Sequence, residues 1–502
     1  MRERVAWAVV TPVTERRGAT PALRLAGLAG TRTGTRLGQL LAVSAGAAAL
    51  RLISGVGFAN YDTLYALAWG GQLSGGQTPT YDLAIAPTPH PLLEALGLVL
   101  APLGPRAAEQ VTVALGFLAL SGCGWLVYRL GAQWFGRLAG ALAAVVLLTR
   151  TPILSYGVRA YVDVPYLLLL LGALLVESGR RRAGVPVLAL LALAGLLRPE
   201  AWAFSGIYWL YLVRGRAPGE GRAELAWTGL LAVCAPIVWV LSDLAITGEP
   251  LWALTNTRHT AHTLGRITGI ANVPEYVPRR IGEILRPPVL AGAAIGGVLS
   301  LLWLRRRALM GAIAGIIAVA VFAAVGAAGL SINTRYAFPT AAILCVFYGA
   351  GAFGWTQLAR GERARRWWMV AGAAIVVALA AYIPAQYRSV HRELDKLARQ
   401  QSIRGDLLAL VDAHALSLRC GPIGVPNHAP IPLLALYLQA GPQHVISAQV
   451  GSISSGEYVD PASKEVEESF VLDPHDPHLP VSVPPGFHEV HANRSWLIFQ
   501  RC

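Results

Sequence analysis

From residue 37 to residue 384 the chain is a succession of apolar stretches of roughly 14 to 22 residues, each bounded by arginine, glycine or proline. A helix rises about 1.5 Å per residue, so such a stretch covers most of a hydrocarbon core about 30 Å thick. Inside that core every backbone amide must find its partner within the protein, and a helix satisfies this within one segment. Composition agrees: 54% of the 502 residues are hydrophobic and only 14% are charged, where a soluble domain would carry about a quarter. Mean hydropathy is +0.49. The expected fold is an all-α polytopic membrane protein.

The net charge of +14 does not describe a nucleic-acid-binding surface. The arginines sit in short loops between apolar stretches: Arg180-Arg181-Arg182, Arg214 and Arg216, Arg305-Arg306-Arg307, and Arg363 to Arg366. Basic residues in short loops mark the cytoplasmic side of a membrane protein, and topology accounts for them without a ligand. All but Lys396 and Lys464 of the 42 basic residues are arginine, a bias from which no function follows.

Residues 1–36, polar and containing Arg16, Arg17, Arg24, Arg32 and Arg36, read as a disordered cytoplasmic tail rather than a signal peptide. Spans are then expected at about 37–58, 108–128, 138–156, 164–177, 225–243, 288–304, 309–330, 337–358 and 369–384, with a hairpin of two short halves over 184–213. Pro91 to Leu103 is too short to cross, at about 20 Å of helix, and reads as a re-entrant or surface-lying helix. About 11 transmembrane helices place 59–107 and 244–287 outside, and each arginine cluster falls inside without adjustment. The tail 385–502 is then extracytoplasmic. Its strand-like segments Ile423–Pro426, His444–Val450 and Ser495–Gln500, with a helical 393–415, indicate a small α/β domain. On that side Cys420 and Cys502 are able to form a disulfide, whereas Cys123, Cys234 and Cys345 lie in apolar stretches as small hydrophobes.

The same topology gathers charge on the outer face: Asp62, Asp82, His90, Glu94, Arg159, Asp163, Asp243, Arg258, Arg266 and Arg335 among others, with Arg51 and Arg150 near the outer ends of spans. Mixed acids and arginines at one membrane level suit an anionic, lipid-linked substrate. Arginine offers several donors to a phosphate leaving group, and an aspartate can act as general base toward an acceptor hydroxyl. Each residue also has a plainer reading. Asp62 and Asp163 can be helix caps, Arg335-Tyr336 a snorkelling arginine beside an interfacial tyrosine, and His90 a loop residue between prolines. Arg198-Pro199-Glu200 resists that reading, because an ion pair between two apolar halves is costly to bury without purpose.

These residues form a pattern that resembles the polyprenyl-phosphate-sugar-dependent glycosyltransferases of the GT-C superfamily, which include protein O-mannosyltransferases and aminoarabinose transferases. The carriers are Tyr61-Asp62 after the first span, Pro87 to Leu92 before a short helix, Tyr161-Val162-Asp163, Leu197 to Glu200, and Thr334 to Pro339 at a late span. The resemblance implies Asp62 as catalytic base. It places a Lys-Pro-Pro-Leu-like element on Pro89-His90-Pro91-Leu92, with histidine in place of the phosphate-facing lysine. The family's Asp-Glu pair appears as Asp62-Thr63, without the glutamate.

The expectation is therefore an inverting glycosyltransferase of the hexosyl- or mannosyl-transferase class at the plasma membrane. It would move a sugar from a polyprenyl-phosphate donor to a hydroxyl on a glycan, lipid or protein acceptor at the outer face. Asp62 and Asp163 form the catalytic set. Tyr61, His90, Arg159, Arg198, Glu200, Arg258, Arg335 and Tyr336 bind substrate and phosphate. Membrane lipid is a partner and nucleic acid is not. No cofactor is expected, no Cys/His spacing suggests a metal, and a role for a divalent cation stays open. A secondary transporter, or a non-catalytic scaffold or sensor with an extracytoplasmic binding domain, is the alternative. Transporters carry repeat symmetry and charge near the bilayer midplane, and neither is evident here.

Overall fold

The computed structural model describes residues 21–215, 221–471 and 482–502, with side chains from Leu37 onward except that of Arg222. Arg16, Arg17 and Arg216 of the arginine clusters lie outside the described residues. Helix α1 (Pro21–Ser54) begins well inside the segment expected as a disordered tail. Its Ala, Leu and Arg content, all strong helix formers, accounts for the extension.

Two helices occupy the segment 59–107, α2 (Tyr61–Ser74) and α3 (Pro91–Leu100), of which the sequence indicates only the second. Then follow α4 (Pro105–Phe135), and α5 (Arg137–Leu148) with α6 (Thr151–Val158), which meet at a bend of 66°. Next come α7 (Asp163–Gly179), α8 (Val185–Leu197), α9 (Ala201–Arg214), α10 (Arg222–Thr247) and α11 (Trp252–Thr263). The last membrane elements are α12 (Val273–Trp303), α13 (Arg305–Ala327), α14 (Phe338–Phe353) and the first part of α15 (Arg363–Asp412).

Seven described helices are long and apolar enough to cross a membrane, or eight if the bent α5–α6 pair is one span. The chain is a multi-pass membrane protein. Helices α8 and α9, with 13 and 14 residues, are each too short to cross straight and form the two halves of the expected hairpin.

Helix α14 is the hub, buried over 89% of its apolar window against 11% for peripheral α1. Glycine makes its close contacts possible. A Cβ at Gly349 would run into the Ala139 carbonyl of α5, and one at Gly296 of α12 into the Phe347 carbonyl of α14. Without a hydrophobic drive between helices in lipid, such backbone proximity is what packing has to offer.

Helix α12 breaks at Arg286, whose backbone is left-handed and extended (φ 63°, ψ 159°). Pro287 and Pro288 have no amide hydrogen to give the preceding turn, and a residue before proline is driven out of helical geometry. The freed Leu285 carbonyl accepts from Arg150 Nη1 at 3.1 Å, while Arg150 Nε donates to Val146 O at 3.0 Å. Arg150 is thus a buried clamp between two broken helices.

Helix α15 runs unbroken for 50 residues, through Pro384, into the C-terminal domain. That domain is a five-stranded sheet in the order β2-β1-β3-β5-β4, made of β1 (Ile423–Val425), β2 (Val445–Ser447), β3 (Gly456–Pro461), β4 (His488–Ala492) and β5 (Trp496–Arg501). Strand β1 pairs parallel with β2 and β3, and β5 pairs antiparallel with β3 and β4. Helix α16 (Ile431–Tyr437) covers it. Cys420 and Cys502 are joined as a disulfide. One apolar cluster contains Leu407 and Leu410 of α15, Leu433 of α16, and Leu64, Tyr65 and Trp69 of α2. The C-terminal domain therefore packs directly on the helix that begins with Tyr61-Asp62.

Gly349→Val should overpack the α5–α14 contact at a cost of about 1–3 kcal/mol. The expected outcome is a lower thermal transition in detergent and loss of the monodisperse peak on size-exclusion chromatography.

Candidate active site

Asp62 stands in the first turn of α2, and its backbone is fixed before its side chain does anything. Asn60 caps the helix: its Oδ1 accepts from the Asp62 and Thr63 amides at 2.8 and 3.3 Å. Asn60 Nδ2 and backbone N both donate to Arg159 O, at 3.1 and 3.0 Å, and Thr63 Oγ1 donates to Ala160 O at 2.8 Å. The turn after α6 and the start of α2 are thereby one unit.

The strap leading into Asn60 is held from the far end of the sequence. Gly57 N donates to Gln401 Oε1 at 2.9 Å. Ala59 N donates to Glu109 Oε1 at 2.9 Å, and Ala59 O accepts from Arg404 Nη1 at 3.0 Å. Arg404 and Glu109 pair at 2.7 Å, both buried, and Tyr437 OH donates to the other Glu109 oxygen at 2.6 Å. A single ion pair between α4 and α15 thus binds both polar groups of one peptide residue upstream of Asp62.

Arg335, in the 3-10 turn before α14, reaches back to Asp62 Oδ2 at 3.0 Å and lies 4.0 Å from Asp163 Oδ2. Asp163 is ion-paired with Arg198, which also donates to Glu200 at 3.2 Å and stacks over Tyr336 at 4.5 Å. Asp163 is 1% exposed. It steadies Arg198 and Arg335 from behind rather than facing the cavity. Burial alone would raise the Asp62 carboxyl, but the Arg335 guanidinium outweighs it, so Asp62 is held below the usual carboxylate range.

Tyr61, Asp62, His90, Arg159, Arg198, Glu200, Arg335 and Tyr336 line one cavity of about 500 Å³. Arg258 does not join them. Leu254, Thr257, Thr260 and Leu264 of the α11 region form its inward stripe at three- and four-residue spacing, and Arg258 lies off that stripe, exposed. Arg266, just beyond the helix, faces the cavity instead.

His90 also differs from expectation. It is 5% exposed, its amide donates to Glu94 Oε1 at 2.9 Å, and its Nδ1 has no partner among the described residues. Burial holds its imidazole down at about 3, so it is neutral and is no substitute for a phosphate-facing lysine. Burial pushes Glu94 up to about 7, with the Tyr81 hydroxyl donating to it.

The cations available to an anion are others. Arg198 and Arg335 are committed to carboxylates, and Arg280 pairs with Glu283 at 2.8 Å. Arg159, Arg266 and Lys396 line the cavity and form no ion pair among the described residues. Arg159 lies over Tyr156 and Tyr161, at 5.4 and 4.9 Å, and donates to Ser155 Oγ at 3.0 Å. Lys396, Gln400 and His428 come from the C-terminal domain and its helix, a contribution not visible in the sequence. Among the described residues no group of three or more His, Cys, Asp or Glu side chains gathers to hold a metal.

No protein-family model and no curated protein matches the sequence. Solved structures do. ArnT from Cupriavidus metallidurans, in a crystal structure bound to undecaprenyl phosphate, superposes with a TM-score of 0.57 at 15% identity, over 92% of this chain and 98% of that one. Its apo structure gives 0.55 at 16% identity, over 93% and 98%. The archaeal oligosaccharyltransferase AglB from Archaeoglobus fulgidus gives 0.47 at 11%, over 87% and 70%. The architecture is thus the GT-C fold, a bundle of membrane helices carrying a small sheet domain at the C-terminus. Within that fold the particular likeness is to ArnT, along nearly the whole length of both chains.

Replacing Arg335 by Gln removes the charge that holds Asp62 down, so the Asp62 carboxyl should titrate at higher pH, read from its carboxylate band in infrared difference spectra of the variant and wild type. Arg404→Met leaves Glu109 buried and uncompensated, a loss of about 3–5 kcal/mol. It should lower the thermal transition and kcat together; a transition unchanged from wild type would mean that the pair does not fasten the strap.

Proposed function

We propose that the chain is an inverting glycosyltransferase that moves a sugar from a polyprenyl-phosphate donor to an acceptor hydroxyl at the extracytoplasmic face of the membrane. The carrying observation is Asp62, partly exposed and paired to Arg335, in a cavity whose Arg159, Arg266 and Lys396 lack anionic partners. A second cavity of about 340 Å³, almost wholly apolar, runs between α7, α9, α13 and α14, lined by Leu167, Leu171, Phe204, Ile313 and Ile343 among others. It reaches Pro339, close in sequence to the site's Tyr336. A polyprenyl tail fits that groove while its phosphate lies among the arginines.

In the proposed step the Asp62 carboxylate takes the proton of the acceptor hydroxyl. The oxygen forms a bond to the anomeric carbon from the face opposite the phosphate. The bond from that carbon to the phosphate oxygen breaks, its electron pair leaves with the lipid phosphate, and the configuration inverts. Arg159, Arg266 and Lys396 stabilise the charge that develops there, usually the larger part of catalysis in a water-poor site. The step uses no cofactor. Arginine clusters in the short loops support a cytoplasmic N-terminus and an outer C-terminal domain. Hexosyl and mannosyl donors are the first to assay, since the motif resemblance points to them.

The test is release of polyprenyl phosphate from polyprenyl-phosphate-linked sugars by the purified protein. Asp62→Asn should lower turnover at least about 10²-fold with the thermal transition retained. Undiminished turnover in that variant would remove Asp62 as the base.

A further inference from the structure

A third cavity, of about 730 Å³, opens between α6, α12 and α15 and shares Tyr156, Arg159, Thr334 and Lys396 with the central one. Its remaining cations are Arg286, Arg392 and Arg399, and none of these, nor Arg159 or Lys396, forms an ion pair among the described residues. Of its carboxylates, Glu283 is already paired with Arg279 and Arg280, at 3.4 and 2.8 Å, and Glu393 accepts from Ser155 Oγ at 2.6 Å. Asp395 has no polar partner among the described residues, and the hydroxyl on Glu393 leaves that charge in place. Two free carboxylates against five unpaired cations leave the recess with an excess of positive charge, and it opens onto Arg159, which lines the same cavity as Asp62.

Arg286 adds an independent sign. Its φ of 63° and ψ of 159° fall in a region that is essentially glycine's alone. Glycine would sit there without strain. The chain instead has an exposed arginine at the lip of the recess. Strained backbone persists only where the surrounding structure holds it, and such positions cluster at ligand clamps and active sites.

We propose that this recess is the entrance and docking site for the acceptor, and that the acceptor is a hydroxyl-bearing molecule carrying a negative charge, as phosphate or carboxylate. The assignment to the acceptor follows from the walls. A donor tail is apolar and has its own groove between α7, α9, α13 and α14, whereas a recess lined by five cations admits a polar anion. Arg286, Arg392 and Arg399 would draw the anionic group in and hold it in the recess, leaving Arg159 and Lys396 to the departing phosphate, while the neighbouring hydroxyl reaches Asp62. This rests on the glycosyltransferase reading, but its test does not require turnover.

The full chain in nanodiscs of neutral phosphatidylcholine is titrated at low salt with glucose 6-phosphate, glucuronate and, as uncharged control, glucose. At least one anionic sugar should bind about ten-fold or more tightly than glucose, and the tighter of the two names the anion. Arg286→Gly should weaken that binding about five-fold while its thermal transition stays level or rises, because strain is relieved. Arg392→Glu with Arg399→Glu should abolish the preference for anions. Equal binding of glucose, no binding at all, undiminished binding by the glycine variant, or a lower transition in it would each overturn the proposal. Arginines that only reach for lipid headgroups would give the flat result. A failure of Asp62→Asn to lower turnover would instead strike the proposed reaction and leave these titrations standing.

Discussion

Everything at the site depends on one guanidinium, that of Arg335, being placed between two aspartates. It lies 3.0 Å from Asp62 and 4.0 Å from Asp163. Charges withdrawn from water this far are costly unless each finds its opposite, and the arrangement meets that demand by alternation: Asp62, Arg335, Asp163, Arg198, Glu200. The chain of charges joins four segments that are distant in sequence. Removing any member leaves its neighbours uncompensated, so the geometry around Asp62 is specified by electrostatics rather than by fit alone. It also explains why Asp163 is buried behind the wall while Asp62 remains within reach of the cavity.

A second buried pair, Arg404 with Glu109, fastens the strap before Asn60. The two pairs act on opposite sides of the same residue. One holds the Asp62 carboxylate and the other holds the backbone that presents it. The C-terminal domain, through α15, is therefore part of the framework of the site, and with that helix it also supplies Lys396, Gln400 and His428 to the cavity.

Much of this could be read from residue order and some of it could not. Asp62, Asp163, Arg198 and Arg335 stood out because ionisable groups beside apolar stretches are expensive, and cost is visible in one dimension. The hairpin over 184–213 and the short helix from Pro91 were legible for the same reason, by length. Asn60 was within reach, since asparagine before a helix is a capping signal. Arg404 and Lys396 were not. On an amphipathic helix they look like any solvated arginine or lysine, and no local pattern pairs Arg404 with Glu109 across the fold. Arg258 was misjudged because the inward face of α11 depends on how that helix is rotated, which charge alone does not reveal. The histidine at position 90 stands where the resemblance has a phosphate-facing lysine; burial, which residue order does not show, keeps it neutral. The excess of arginine over acid in the loops is a topological signal that residue order carries, yet it did not reveal that α12 turns at Arg286 in a glycine-like conformation.

The 50-residue helix α15 has a mechanical consequence. A rod about 75 Å long embedded at one end and built into a sheet domain at the other transmits tilt as well as position. Thickening or thinning of the surrounding bilayer, which tilts a spanning helix at small energetic cost, would be conveyed along that shaft to the strap that presents Asp62. The lipid environment would then tune the geometry of the cavity, with no ligand needed to carry the message.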